Sequence, residues 1–355
     1  PGNLNHVFYG CGGSVANDTA VRIIHFYFNQ LGKTTKKKII SRIDGYHGST
    51  YMAMSITGVE FDHVGFDVDN QMVHHISCPN PYRRTEGMSL EDFCDSKVVE
   101  LEDKILELGA DNVAAFFAEP IFGAGGVIVP PPGYHRKTQE VCNKYGVLYV
   151  SDEVVTGFGR LGHMFASKDE FDLQPDIITC AKGLTSGYLP LSATILSDDI
   201  YDVISIPQAK GALFTHGFTY SGHPVCCAAG LKNIEIMERE NLCEHVNDVG
   251  DYFERQLKTL EDLDIVGEVR GRKFMMCIEN VADKETKELL HEDAEVGTRI
   301  ANHCEKRGLI VRPLAHMNVL SPPLVMTRKD VDKMVNILRE SITETMSDLS
   351  NDGFL

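Results

Sequence analysis

Six short apolar, β-branched runs, each closed by turn residues, constrain this chain more than any other feature. They are His6–Tyr9, Lys38–Ile43, Val113–Ala118, Val147–Ser151, Asp176–Thr179 and Leu191–Leu196. Runs of that length and composition read as strands. Helical patterns at Asp18–Leu31, Val98–Leu108 and Tyr134–Tyr145 fall between them. Strands that alternate with helices need crossover connections, which predicts an α/β fold with a mostly parallel sheet covered by helices on both faces. From Pro224 the pattern changes to two long amphipathic stretches, Pro224–Glu240 and Leu242–Leu260. Short strands near Ile265–Val269 and Phe274–Ile278, a helix over Ala294–Arg307, a strand at Leu309–Arg312 and a last helix from Lys329 to about Met346 follow. The expected organisation is a large domain over 1–223 and a smaller C-terminal α+β domain over 224–355.

A chain of 355 residues is long enough to enclose a pocket. With 51 acidic against 34 basic residues its formal charge is −17, which argues against nucleic acid or an anionic membrane as partner and for a small molecule. The densest basic run, Lys33, Lys36, Lys37 and Lys38, reads as a solvated loop. Ten cysteines without Cys-x-x-Cys spacing signal neither a zinc site nor a disulfide framework, and fourteen histidines contain no His-x-x-x-His pair. No apolar run reaches the length of a membrane span and no signal peptide is evident, so a cytoplasmic location is expected. Pro1-Gly2-Asn3 runs almost at once into a strand and a glycine turn, and a leading segment is expected to be missing.

Three segments carry chemistry. Gly10-Cys11-Gly12-Gly13-Ser14 joins a strand to a helix, so its N–H groups and the helix end can hold a phosphate; such a turn can equally be only a turn. Val15 stands where a dinucleotide fingerprint needs its third glycine, which counts against a nicotinamide-dependent dehydrogenase. Asp152-Glu153 ends a strand, where carboxylates face the ligand crevice of an open α/β sheet or merely cap a loop. Lys182 follows an apolar strand and precedes small residues; it is either a surface lysine or a buried amine whose lowered pKa makes it a nucleophile toward carbonyls. A phosphate cradle, an acid for a pyridine nitrogen and an amine for an aldehyde are together what pyridoxal phosphate requires.

The resemblance then becomes specific. Asp152-Glu153-Val154-x-Thr156-Gly157-Phe158-Gly159-Arg160, Ala181-Lys182-Gly183 and His216-Gly217-Phe218-Thr219-Tyr220-Ser221-Gly222-His223-Pro224 resemble the class III aminotransferases. Tyr46-His47-Gly48, Ala118-Glu119-Pro120-Ile121-x-Gly123, Gly308-Leu309-Ile310-Val311-Arg312 and Pro322-Pro323-Leu324 extend the match over nearly the whole chain.

The resemblance implies a fold type I transferase dependent on pyridoxal 5′-phosphate, with Lys182 as the Schiff-base lysine and Asp152 paired with the ring nitrogen. It also implies that Tyr46 stacks on one ring face and Val154 packs on the other. Gly13 and Ser14 would hold the phosphate, His47, Glu119 and Phe218 would surround the cofactor, and Thr219 would reach the phosphate of the neighbouring subunit in a homodimer with shared sites. Arg312 matches the arginine that pairs with the substrate carboxylate. Ala124 stands where ornithine- and γ-aminobutyrate-type relatives carry glutamate, which resembles the amine:pyruvate branch. The expected reaction moves an amino group from a primary amine or ω-amino compound to a 2-oxo acid, with pyruvate the expected acceptor. A glutamate-1-semialdehyde-type aminomutase and a non-catalytic protein of the same fold are the alternatives. Val15, in place of an acidic residue, and Lys273, in place of a glycine after Arg-Gly-x, depart from the family pattern.

Overall fold

A computed structural model describes residues 2–208 and 210–355, and the chain divides into two compact units. The first comprises Pro1–Gly125, Pro130–Phe158 and His163–Glu240. Its elements in chain order are β1 (Leu4–Gly10), α1 (Gly13–Gln30), β2 (Lys38–Arg42), α2 (Tyr51–Ile56), α3 (Glu60–His63), β3 (Val73–Ile76), α4 (Leu90–Leu108) and β4 (Val113–Ala118). They continue with α5 (Tyr134–Tyr145), β5 (Leu148–Asp152), α6 (Ala166–Phe171), β6 (Ile177–Cys180), β7 (Ser192–Ser197), α7 (Asp198–Ser205) and α8 (Pro224–Arg239).

The seven strands form one sheet in the order β1-β7-β6-β5-β4-β2-β3, and β7 alone runs against the others. Because side chains alternate across a strand, consecutive residues feed opposite faces. Ile39, Phe117 and Val150 pack with Ala20, Ile23 and Ile24 of α1, while Ile40, Phe116 and Tyr149 pack with Leu101 and Ile105 of α4 and Val141 of α5. Each large apolar side chain buried this way contributes about 1.5–3 kcal/mol. Both faces are covered, which is why β4 reads as an unbroken apolar run. Helix α8 packs on this unit: Asn233 Nδ2 donates to the Gly183 and Leu184 carbonyls at 2.8 and 3.2 Å, and the unit runs on to Glu240.

The second unit comprises Gly126–Val129, Gly159–Gly162 and Asn241–Leu355. It contains α9 (Leu242–Lys258), β8 (Val266–Arg272), β9 (Met275–Asn280), α10 (Val296–Lys306), β10 (Arg312–Leu314), β11 (Met317–Leu320) and α11 (Arg328–Asn351). Its four-stranded sheet, in the order β10-β11-β9-β8, is antiparallel throughout. Phe253, Phe274, Ile278, Ile300 and Leu338 lie in its core. The strand expected over Leu309–Arg312 begins only at Arg312, because pairing with β11 through a tight turn at Ala315 (φ 49°) sets its limits. Lys273, where glycine was expected, sits in the two-residue β8–β9 loop at φ 49°; its N–H donates to Glu254 Oε1 at 2.6 Å and its amine pairs with Asp251. Among the described residues, no helix is long and apolar enough to cross a membrane.

Candidate active site

The carboxyl ends of β4, β5 and β6 and the N-terminus of α1 bring most of the expected residues together. Asp152 ends β5 and is buried. Its Oδ2 accepts from Asn17 Nδ2 and from His47 Nδ1, each at 2.8 Å, and its Oδ1 accepts from the Val154 N–H at 3.0 Å. A carboxylate offers about four acceptor positions, so one on Oδ1 stays open. A carboxylate can only accept, so His47 Nδ1 donates to it; Nε2 is buried without a partner among the described residues.

Asn17 lies one turn into α1 and is fully buried. Its amide also donates to the His47 carbonyl at 2.7 Å, and its Oδ1 accepts from Thr179 Oγ1 at 2.8 Å. Thr179 is the register partner of Asp152 across the β5–β6 pair. Neither side chain was expected in the site from the sequence.

Glu119, just past β4, is buried and receives the Tyr46 N–H at 2.9 Å and the Gly123 N–H at 2.7 Å. It ties the Tyr46-His47-Gly48 loop to the loop after Pro120. Burial pushes its carboxyl pKa up, the His47 imidazole opposes that, and the Asp152 charge adds to it. Arg42 Nη2 donates to the Glu119 carbonyl at 2.6 Å, and its guanidinium lies over the Phe122 ring, 4.0 Å from the centroid. The acid beside Asp152 has a different task. Glu153 is fully buried and accepts from the Ala166 and Ser167 N–H groups and the Thr156 and Ser167 hydroxyls, which fixes the turn that carries Val154.

The glycine turn opens α1 with no side-chain cap and no acidic residue in its first turn. The opening N–H groups of a helix have no partner within it, so this end presents donors and partial positive charge to an anion. A side chain at Gly13 would meet Val154 Cγ1 at 3.0 Å, and one at Gly48 (φ 133°) would meet Ser14 Oγ at 2.3 Å. Ser14 Oγ accepts from the Ser49 N–H at 3.0 Å and keeps its own proton free to donate. Tyr46 is half-buried.

Lys182 leaves β6 in a 3-10 turn over Lys182–Thr185, three residues past the partner of Asp152. Its φ is 29°, a left-handed value that a lysine adopts only under constraint from its surroundings. A side chain at Gly183 would strike Phe158 Cβ at 2.9 Å, so the turn is pressed against the 157–158 loop. Of the two alternatives open from sequence, a surface lysine or a buried amine, the single chain shows the first. The Lys182 carbonyl accepts from the Gly187 N–H at 3.1 Å, and the side chain is exposed in the single chain, its amine making no hydrogen bond or ion pair among the described residues.

Phe218 and Thr219 are exposed in the segment between α7 and α8, in a turn closed by the Ser221 N–H on the Phe218 carbonyl at 2.9 Å. The segment touches α1 through His216 and Thr19, 2.9 Å apart, and makes no hydrogen bond to Asp152 or His47 among the described residues. Arg312 opens β10 in the second unit and is exposed.

A sequence profile of the class III aminotransferases matches residues 1–342. The chain belongs to the class III aminotransferases. It is 43% identical over 357 residues to the uncharacterized aminotransferase y4uB of Sinorhizobium fredii (strain NBRC 101917 / NGR234), covering 99% of this chain and 76% of that one. It is 41% identical over 344 residues to a probable gamma-aminobutyrate transaminase 4 of Oryza sativa subsp. japonica, covering 96% and 71%. The crystal structure of the omega transaminase from Pseudomonas jessenii in complex with PMP superposes with a TM-score of 0.94 at 39% identity, covering 98% of this chain and 76% of that one.

This class III aminotransferase is an enzyme of fold type I and uses pyridoxal 5′-phosphate. Its own residues suit that cofactor. An uncapped helix end suits the phosphate, the small residues at Gly13 and Gly48 keep the cradle open, Asp152 keeps one acceptor position, and Lys182 offers an unpartnered amine.

Proposed function

We propose that the enzyme transfers an amino group from a primary amine or ω-amino compound to pyruvate, with Lys182 and Asp152 as its catalytic residues. The observation that carries this reading is a lysine at φ 29° just past β6, its amine without a partner among the described residues, together with a buried carboxylate at the end of the neighbouring β5 that keeps an acceptor position open. When bound, pyridoxal phosphate supplies an aldehyde for amines and a ring that withdraws electrons from the reacting carbon. Lys182 would hold it through its amine, and its Nζ would carry the proton of the substrate's reacting carbon. Asp152 Oδ1 holds the proton on the ring nitrogen, with His47 and Asn17 fixing the other oxygen. Gly13 and Ser14 receive the phosphate, Tyr46 and Val154 enclose the ring, and Glu119 fixes the loop that carries Tyr46.

Thr219 and Phe218 act from the partner in a homodimer; both are exposed in the single chain, and so is the lysine they would cover. Arg312, whose planar fork matches a carboxylate, binds the 2-oxo acid. A glutamate at 124 would neutralise that arginine for a second substrate, and Ala124 offers no such charge, which supports pyruvate as the acceptor. The rice relative named for gamma-aminobutyrate supports an ω-amino acid among the donors. A panel of amines assayed against pyruvate and 2-oxoglutarate tests the reading. Alanine formation from pyruvate is expected; turnover with 2-oxoglutarate alone would overturn the acceptor assignment.

A further inference from the structure

We infer that Asn17 and Thr179 are positioning residues that set the orientation of the Asp152 carboxylate toward the cofactor's ring nitrogen. The inference rests on the reading of Asp152 given above.

Asn17 is fully buried and both ends of its amide are engaged: both N–H bonds donate, to Asp152 Oδ2 and to the His47 carbonyl, and Oδ1 accepts from Thr179 Oγ1. An amide can rotate by half a turn at no steric cost, which would set its oxygen against the carboxylate. The Asp152 carboxylate and the His47 carbonyl, which can only accept, forbid that rotation, and the Thr179 hydroxyl anchors the amide by donating to the Oδ1 that points away from them. Thr179 is also fully buried, and the β5–β6 register places it directly across from Asp152. α1 reaches the carboxylate through Asn17 and the Tyr46-His47-Gly48 loop reaches it through the His47 imidazole, while Thr179 of β6 and the His47 carbonyl act on it by holding the Asn17 amide. With Oδ2 holding two donors and Oδ1 only one, the carboxylate has a single rotational setting, and Oδ1 is the oxygen left for a ligand.

The test compares Thr179→Val, Thr179→Ser, Asn17→Asp and Asp152→Asn with the parent holoenzyme. Cofactor Kd is measured by equilibrium dialysis, the absorbance spectrum of the bound cofactor is recorded, and the melting temperature is taken without cofactor. Without the Thr179 hydroxyl the Asn17 amide loses its anchor on β6, so Thr179→Val is expected to weaken cofactor binding by about threefold to tenfold and to shift the spectrum. Thr179→Ser keeps the hydroxyl and is expected to restore both. Asn17→Asp brings a second carboxylate to the 2.8 Å position, and its loss is expected to match or exceed that of Thr179→Val. Melting without cofactor separates a fold defect from lost positioning; if Thr179→Val does not fold, the near-isosteric Asn17→Asp carries the test. Parent-like cofactor Kd and spectrum in Asn17→Asp, with Asp152→Asn impaired, would overturn the inference alone. An unimpaired Asp152→Asn would overturn the reading of Asp152 and this inference with it.

Discussion

His47 Nδ1 lies 2.8 Å from Asp152 Oδ2, and both side chains are buried. The imidazole thus supplies one of the three hydrogen bonds on the carboxylate, and Asn17 and the Val154 N–H supply the others.

Replacing His47 by leucine removes that donor and leaves the amide of Asn17 alone on Oδ2. A donor lost from a buried charge costs about 1.5–3 kcal/mol, so cofactor affinity and kcat are each expected to fall about tenfold or more. Dialysis and initial rates measure both; parent-like values would show that the imidazole is only filling space.

Gly48 combines φ 133° with a hypothetical Cβ 2.3 Å from Ser14 Oγ. Alanine there meets both backbone strain and a clash in the cradle, with an expected loss of about 2–4 kcal/mol. Urea unfolding of the Gly48→Ala protein measures it, and a change below about 0.5 kcal/mol would contradict the geometry.

How far the sequence could be read depended on where each element's limits are decided. Strand β4 matches its expected span because six buried residues in a row leave no ambiguity. Helix α1 starts at Gly13, five residues before the expected Asp18, because Gly-Gly-Ser looks like loop until packing extends the helix toward the turn. The doublet His74-His75 hides β3, whose existence rests on parallel pairing with β2. Asp152 and Lys182 were legible as strand-end residues. Asn17 and Thr179 were not, since they are 162 positions apart and only the fold joins them. The exposure of Lys182 was likewise beyond the sequence, because it depends on a turn that leaves the sheet.

Lys273 tests the opposite case, a side chain held where glycine is easier. Its left-handed backbone costs about 1 kcal/mol, and its partly exposed pair with Asp251 returns no more than about that amount. Lys273→Gly is expected to leave the melting temperature within about 3 °C of the parent, and Lys273→Ala, which keeps the strain and loses the pair, to lower it by more. A larger loss for glycine than for alanine would contradict this.

His135 gives the acid sensitivity a named source. Its Nε2 donates to the Pro120 carbonyl and its Nδ1 faces the Tyr149 hydroxyl, each at 2.9 Å, and burial, with the Arg42 charge adding, lowers its pKa to about 3. The unfolded chain takes up this proton near pH 6.5 and the folded one only near 3, so the contribution is fully present above 6.5 and is lost as pH falls toward 3. Asp176, raised to about 6 by burial, acts the other way and favours the folded state as pH falls below that value. In His135→Gln, the slope of stability against pH between 6 and 4 is expected to fall by up to about 1.4 kcal/mol per unit; an unchanged slope would reject this source.

The assignment of Lys182 as the residue that holds the cofactor is tested most directly by borohydride reduction of the holoenzyme followed by peptide mass mapping. A phosphopyridoxyl adduct on the peptide containing Lys182, absent from the Lys182→Ala protein, is the predicted result. An adduct on another lysine, or an equal adduct in the Lys182→Ala protein, would contradict it.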